Sequence, residues 1–375
     1  YRDCENYRVV FKKVYSIMKN KYKKNVSIIC LSPNIGGMEI DAIKLANKLS
    51  SYSKIILVAK ENGFIAQKFD NNCLNNQNIS LETVKFKSSL SFNIIKIARD
   101  IVIRNNIKNV IFFGASELKS LYFSFLGLDI NLIVRHGTTK STPKKDWFHK
   151  LIYSKVNYHV SISKHIQKNL DYIIPFGKNS KSILIYPSVK NININKKERN
   201  DKLTLLHTGR IANGKGQIDA IKACSILVEN NIDFIFYVVG GFEKDYEKEF
   251  LDFYNNLNYK DKIILVGFSN EIEKYLEKSH IFIFPSYGEG FGNSFIEAIS
   301  SGLDCISYSN TSFLEFREIG LDFGIVKDRN IEILKETLLK ISKKEVVFDI
   351  EKNKKIINDS FSEDKEIREY LRILK

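Results

Sequence analysis

Two carboxylates flank a glycine-rich bend in "FPSYGEGFGNSFIEAISSG", residues 284–302: Glu289 lies in the bend, and Glu297 eight positions on, inside a following helix. Gly288, Gly290 and Gly292 let backbone N–H groups approach a ligand closely, and the helix start after them favours negative charge. Carboxylates placed this way can accept hydrogen bonds from sugar hydroxyls at two ends of one ligand. Taken alone, two glutamates at this spacing are more simply a solvated loop acid and a surface helix acid. A second segment, "HTGRIANGKGQIDAI" at 207–221, puts Arg210 just past a strand ending at Gly209 and Lys215 between Gly214 and Gly216. An arginine fork and a lysine point charge converging at a strand terminus suit a diphosphate, with two solvated cations as the plain alternative. No G-x-x-x-x-G-K-[ST] occurs, which argues against an ordinary phosphoryl-transfer motor.

A third glycine pair, Gly36-Gly37 in "SPNIGGMEIDA", precedes a helix but lacks the G-x-G-x-x-G spacing of a dinucleotide site. His136 closes the apolar run "NLIVRH" before Gly137, a position from which it would face an interdomain cleft. His149, His159, His165, His207 and His280 have no such setting and are read as structural.

The elements that must carry these residues are apolar, β-branched runs at 26–32, 54–59, 109–114, 131–136, 158–163 and 182–187, separated by helical-period segments. The alternation pauses at 188–202, rich in Asn and Lys, and restarts at 203–209, 233–241, 262–267 and 280–286, with helices near 216–230, 243–256 and from about 293. This predicts an α/β chain of two doubly wound, Rossmann-like domains with ligands at the carboxyl ends of the strands. The expected boundaries are an extension or linker at 1–17, an N-terminal domain at 18–188, a linker at 189–202, a C-terminal domain at 203–355, and a helix at 356–375 packing back on the N-terminal domain.

A chain of 375 residues, 44% hydrophobic and 27% charged, can fill two cores and is neither disordered nor disulfide-dense. Its five cysteines, Cys4, Cys30, Cys73, Cys224 and Cys305, form no C-x-x-C pair, so a zinc ribbon is not expected and a reducing compartment is. No run approaches the roughly 18 apolar residues of a membrane-spanning helix. The formal charge of +15 is unevenly spread: residues 1–200 sum to +21 and residues 201–375 to −6. A basic half faces something anionic, a nucleic acid or a membrane surface, although an excess of lysine over arginine also fits compositional drift. Residues 140–156 set Trp147, Leu151 and Ile152 beside Lys144, Lys145, Lys150 and Lys155, behind Asp146 as a helix cap. Such a helix can lie on an anionic membrane or simply pack with a lysine-rich outer face, and the basic half can equally face an anionic glycan.

Together the three motif segments resemble the retaining GT-B glycosyltransferases, specifically glycosyltransferase family 4, from about Lys24 to Lys375 and most closely over 203–302. Gly36-Gly37-Met38-Glu39 is similar to the family's G-G-x-E turn, Arg210 and Lys215 to its R-x-x-x-x-K pair, and Glu289 to Glu297 to its E-x7-E pair. The resemblance implies two Rossmann-like domains facing across a cleft, the first binding acceptor and the second a nucleotide-sugar donor, with UDP-sugars favoured. It places Arg210 and Lys215 at the diphosphate, Glu289 at the donor sugar, Glu297 at the ribose, and backbone contacts at Phe291, Gly292 and Asn293. Gly267 and Phe268 look like its base-binding turn, and His136 like its sugar-side histidine. Ser188-Val189 after Pro187 departs from the family's Asn-Gly at the hinge.

The implied reaction is metal-independent hexosyl transfer with retention onto a glycan or lipid-linked acceptor such as lipopolysaccharide, in the cytoplasm, either free or peripheral on the inner face of the cytoplasmic membrane. No D-x-D motif occurs and no cofactor is expected, so Arg210 and Lys215 would stabilise the departing diphosphate. Rival readings are a GT-B nucleotide-sugar epimerase, a non-catalytic sugar-nucleotide binder, and a nucleic-acid-binding protein. The last has no use for paired glutamates in a glycine loop, so nucleic acid is not expected as a partner.

Overall fold

A computed structural model describes residues 25–70, 76–190 and 202–375. Cys4, Cys73, the 1–17 extension and most of the 189–202 linker lie outside the described residues. The chain divides into two units, one of residues up to 162 with 166–187 and 366–375, the other of 163–165 and 188–365.

The first unit holds a seven-stranded sheet of β1 (Val26–Cys30), β2 (Ile55–Lys60), β3 (Ile79–Val84), β4 (Asn109–Phe113), β5 (Asn131–His136), β6 (Tyr158–Ser161) and β7 (Lys181–Leu184). Their order is β3-β2-β1-β4-β5-β6-β7, and every pairing is parallel. Central strands such as "VSIIC" and "NVIFF" are buried along their whole length, as a sheet covered on both faces requires. The edge strand β3, "ISLETV", is half-exposed and so lacks the continuous apolar run that marks the others in sequence.

Residues 356–375 are not one helix, because the chain breaks at Ser362 between Ile350–Phe361 and Glu363–Ile373. The second of these helices completes the first unit's core, where Ile367, Tyr370 and Leu371 cluster with Val26, Ile28, Leu45 and Ile111. Asn131 Nδ2 donates to the Ile373 carbonyl at 2.7 Å, and the Lys375 N–H donates to Asn109 Oδ1 at 2.8 Å. Two largely buried ion pairs, Lys48 to Glu366 at 2.6 Å and Arg135 to Asp41 at 2.8 Å, lie in the same unit. Breaking either would strand a desolvated charge, which costs far more than a surface pair.

The second unit is a six-stranded parallel sheet of β8 (Leu203–Thr208), β9 (Phe234–Val239), β10 (Ile263–Gly267), β11 (Ile281–Phe284), β12 (Asp304–Tyr308) and β13 (Gly324–Val326). The order β10-β9-β8-β11-β12-β13 reverses direction between β8 and β11. That is the topological switch point, where an open α/β sheet leaves a crevice at the strands' carboxyl ends. Both motif segments leave from this point, one after β8 and one after β11. The strand β12, "DCISY", is largely buried, but Asp304, Cys305 and Ser307 interrupt its large apolar residues Ile306 and Tyr308, so no apolar run announces it. The expected helix at 216–230 is two short helices, Gln217–Ala223 and Ser225–Glu229, meeting at Cys224.

Candidate functional site

The two loops at the switch point are fitted to each other at Gly216. A Cβ there would stand 2.1 Å from the Pro285 carbonyl oxygen, and the residue's φ of 78° is one that L side chains rarely adopt. The Gly214 carbonyl accepts the Tyr287 N–H at 2.8 Å, tying the same loops one step further on. Beneath them the Asp219 carboxylate accepts the hydroxyls of Tyr287 at 3.1 Å and Tyr308 at 2.8 Å, and burial together with Asp219 pushes both phenols up.

This fit brings Lys215 and Glu289 together. The ammonium donates to both carboxylate oxygens, at 2.7 and 2.9 Å, and Ser286 Oγ donates to Oε1 at 2.8 Å. The glutamate side chain is 12% exposed and the lysine 30%, so the pair is partly desolvated yet reachable. Directly behind, His207 Nε2 lies 3.1 Å from the Lys215 carbonyl oxygen. A carbonyl only accepts, so the proton sits on Nε2, and burial lowers the imidazole's pKa to about 4. A histidine read from sequence as structural thus supports the lysine loop through its backbone.

Arg210 points elsewhere. Its guanidinium is exposed and lies 3.3 Å from Glu243, while its carbonyl accepts from Gln217 Nε2 at 2.9 Å. Gly292, with φ of 87°, is the turn residue that starts the helix Asn293–Ser300, and Asn293 and Glu297 ride half-buried on that helix. Phe291 is buried with its ring edge-on to Phe316 and Phe361, at 5.3 and 5.1 Å, anchoring the bend beside the half-buried Gly290. At the end of β10 the Gly267 carbonyl accepts the Gly240 N–H at 2.9 Å, and the Phe268 side chain is 70% exposed.

The first unit holds the remaining sequence-derived candidates. Gly36 and Gly37 open the helix Gly37–Leu49 after β1, with the Glu39 side chain buried beneath. His136 ends β5 as expected, but it is buried and both ring nitrogens are engaged: Nδ1 with Lys140 Nζ at 3.3 Å and Nε2 with His159 Nδ1 at 3.1 Å. Lysine can only donate, so His136 Nδ1 accepts and its Nε2–H donates onward to His159. Burial and the Lys140 charge hold His136 well below the usual imidazole range, and burial lowers Lys140 to about 8 and His159 to about 3. Three further residues that sequence reasoning passed over, Ser286, Asn310 and Thr311, hydrogen-bond around Glu289. Ser286 lies within the motif, whereas nothing in the sequence marks the other two. Among the described residues no group of three or more His, Cys, Asp or Glu side chains is disposed to hold a metal ion.

Residues 189–362 match the family Glycosyl transferases group 1. Over 100 residues the chain is 32% identical to the UDP-Gal:alpha-D-GlcNAc-diphosphoundecaprenol alpha-1,3-galactosyltransferase of Escherichia coli, covering 26% of each. It is 26% identical over 212 residues to the N-acetylgalactosamine-N,N'-diacetylbacillosaminyl-diphospho-undecaprenol 4-alpha-N-acetylgalactosaminyltransferase of Campylobacter jejuni, covering 51% of this chain and 54% of that relative. The chain therefore matches between about a quarter and a half of these relatives' length. Anabaena HepE, solved in complex with UDP and glucose, has the same fold, with a TM-score of 0.75 at 15% identity over 93% of this chain and 98% of its own. Residues 189–362 thus resemble Glycosyl transferases group 1, and the two Rossmann-like units have the GT-B fold.

Proposed function

We propose that the protein is a retaining, metal-independent glycosyltransferase that moves a hexosyl group from a UDP-sugar to a hydroxyl of a bacterial cell-envelope glycan or lipid-linked acceptor. The observation that carries this reading is the Lys215–Glu289 pair at the switch point of the second sheet. Lys215 spends two of its three N–H donors on Glu289, which leaves one for a diphosphate oxygen. Glu289 has lone pairs left for donor-sugar hydroxyls. The contact that holds the Arg210 guanidinium to Glu243 is long and exposed, so its fork can turn onto the diphosphate.

In this reading Glu297 meets the ribose, the N–H groups of Phe291, Gly292 and Asn293 meet the donor at the helix start, and Gly267-Phe268 lines the base. Gly36, Gly37 and His136 act from the first unit. The bond from the anomeric carbon to the diphosphate breaks, the bond to the acceptor oxygen forms on the same face, and the acceptor proton passes to the departing diphosphate. Arg210 and Lys215 stabilise the charge that develops there, the kind of contribution worth about 3–4 kcal/mol of barrier in comparable sites. The UDP-Gal in the Escherichia coli relative's name and the UDP bound to Anabaena HepE support a uridine donor. Diphosphoundecaprenol in the names of both curated relatives supports a lipid-linked acceptor.

An anionic membrane surface belongs to the same reading. On the helix Trp147–Tyr153, capped by Asp146, Trp147 is 75% exposed and Leu151 partly exposed, while Ile152 turns into the core. Lys145 lies over the exposed Tyr172 ring at 5.0 Å. No helix among the described residues is long and apolar enough to cross a membrane.

A thermal-shift screen against UDP, GDP, CDP and their sugars tests the donor. A ligand at 100 times its dissociation constant stabilises by about 2.7 kcal/mol, and no shift with any of them at millimolar concentration overturns the proposal.

A further inference from the structure

Thr311, the first residue of the helix Thr311–Glu318, has a φ of 42°. Five other non-glycine residues among those described share the left-handed region, Asn62, Asn106, Asn231, Arg329 and Lys344, and none is β-branched. A branched Cβ makes threonine an outlier there, and such strain persists only where the surroundings hold it in place.

The surroundings here are the bend that carries Glu289. The Glu289 N–H donates to Thr311 Oγ1 at 3.0 Å, and that hydroxyl donates to Asn310 Oδ1, also at 3.0 Å. Asn310 Nδ2 in turn donates to the Ser286 carbonyl at 2.9 Å and to Asp328 Oδ1 at 2.6 Å. The Thr311 methyl packs on Gly288, 3.3 Å from where a Cβ would stand. Glu289 is therefore pinned twice. Lys215 and Ser286 hold its carboxylate, and those contacts must be shared once a ligand arrives. Thr311 holds its backbone, and that contact competes with nothing. Glycine would take the same φ without strain, but it has no hydroxyl to offer.

We propose that Thr311 is a positioning residue: its strained backbone sets its hydroxyl against the Glu289 amide and thereby aims the Glu289 carboxylate at the donor sugar. The aim at a sugar rests on the function proposed above, whereas the pinning of the bend does not.

The test compares Thr311→Gly, Thr311→Ser and Thr311→Val in the full chain. In Thr311→Gly relief of strain is offset by the lost hydroxyl and a freer unfolded chain, so its unfolding midpoint should stay within about 4 °C of the wild type. Its amide exchange in peptides spanning 287–291 should nevertheless speed by about tenfold. Thr311→Ser should restore slow exchange, and Thr311→Val, strained without a hydroxyl, should lose both stability and protection. By calorimetry, Thr311→Gly should leave UDP binding within about twofold. It should weaken by about tenfold whichever of UDP-galactose, UDP-glucose and their N-acetyl counterparts the wild type binds best. Unchanged exchange in Thr311→Gly, or serine behaving like glycine, overturns the positioning role. If the wild type binds none of the nucleotides, the functional reading fails while the exchange data still decide the role of Thr311.

Discussion

Lys215 Nζ sits 2.7 and 2.9 Å from the two carboxylate oxygens of Glu289, across a gap of 74 residues in sequence. Lys215→Ala leaves a carboxylate only 12% exposed that still accepts from Ser286 Oγ, a change expected to cost about 1–3 kcal/mol of stability in the second unit. Turnover should fall by about a hundredfold or more. Adding Glu289→Gln should return most of the stability and none of the turnover. A double-mutant cycle by chemical denaturation measures this, and additive stability losses would contradict it.

Arg210 gives the opposite pairing of effects. Its contact with Glu243 is long and both side chains are about half-exposed or more, so Arg210→Ala should change stability by less than about 0.5 kcal/mol. If the guanidinium turns onto the diphosphate, transfer should fall about a hundredfold in the same variant. Near-wild-type transfer would remove Arg210 from the site.

The fold was legible wherever burial on both faces forces an apolar run, and illegible where that force lapses. β1, β4 and β11 announce themselves. β3 is half-exposed at a sheet edge, and β12 buries Cys305 and Ser307 in place of large aliphatics, so neither does. The candidate site divides in the same way. Lys215 and Glu289 are legible because glycines and charge recur at set spacings around a strand end. His207, Asn310 and Thr311 act through backbone groups and through a φ value, for which a single sequence carries no sign. His136 shows the limit from the other side: its place at the end of β5 was readable, its engagement by Lys140 and His159 was not.

Gly216 tests the fit between the two loops. Gly216→Ala drives a methyl onto the Pro285 carbonyl, at a backbone conformation already unfavourable for alanine. A loss of about 2 kcal/mol or more is expected, with donor binding abolished, because the loops cannot part without separating Lys215 from Glu289. Retention of wild-type nucleotide binding by Gly216→Ala would show that the close fit is not required.

Acid should destabilise the two units to different degrees. His136 and His159 lie in the first unit and His207 in the second, and burial holds all three below the unfolded value of about 6.5. The unfolded chain therefore binds protons that the folded one refuses, so stability falls as pH drops below about 6.5, down to about 3 for His159 and about 4 for His207. From these three groups the expected slopes start at about half their limit at pH 6.5 and approach about 2.7 kcal/mol per pH unit for the first unit and about 1.4 for the second near pH 5. Urea titrations read at Trp147 for the first unit, and by amide exchange for both, measure the slopes. His207→Gln, which keeps an N–H for the Lys215 carbonyl but no titrating group, should flatten the second slope and leave the first.

The exposed face around Trp147 separates membrane docking from ordinary helix packing. Trp147 is 75% exposed and Tyr172 65% exposed, so their rings leave apolar area in water where lysines can meet lipid phosphates. Flotation with liposomes containing about a third anionic lipid should recover the wild type, and high salt should weaken recovery because each screened lysine contributes about 1 kcal/mol. Trp147→Ala should reduce recovery severalfold, while Lys145→Glu should abolish it, with the unfolding midpoint of the first unit unchanged in both. Binding that is absent at low salt, or indifferent to both substitutions, would leave the helix as a packed element and return the +21 of residues 1–200 to an acidic glycan acceptor or to compositional drift.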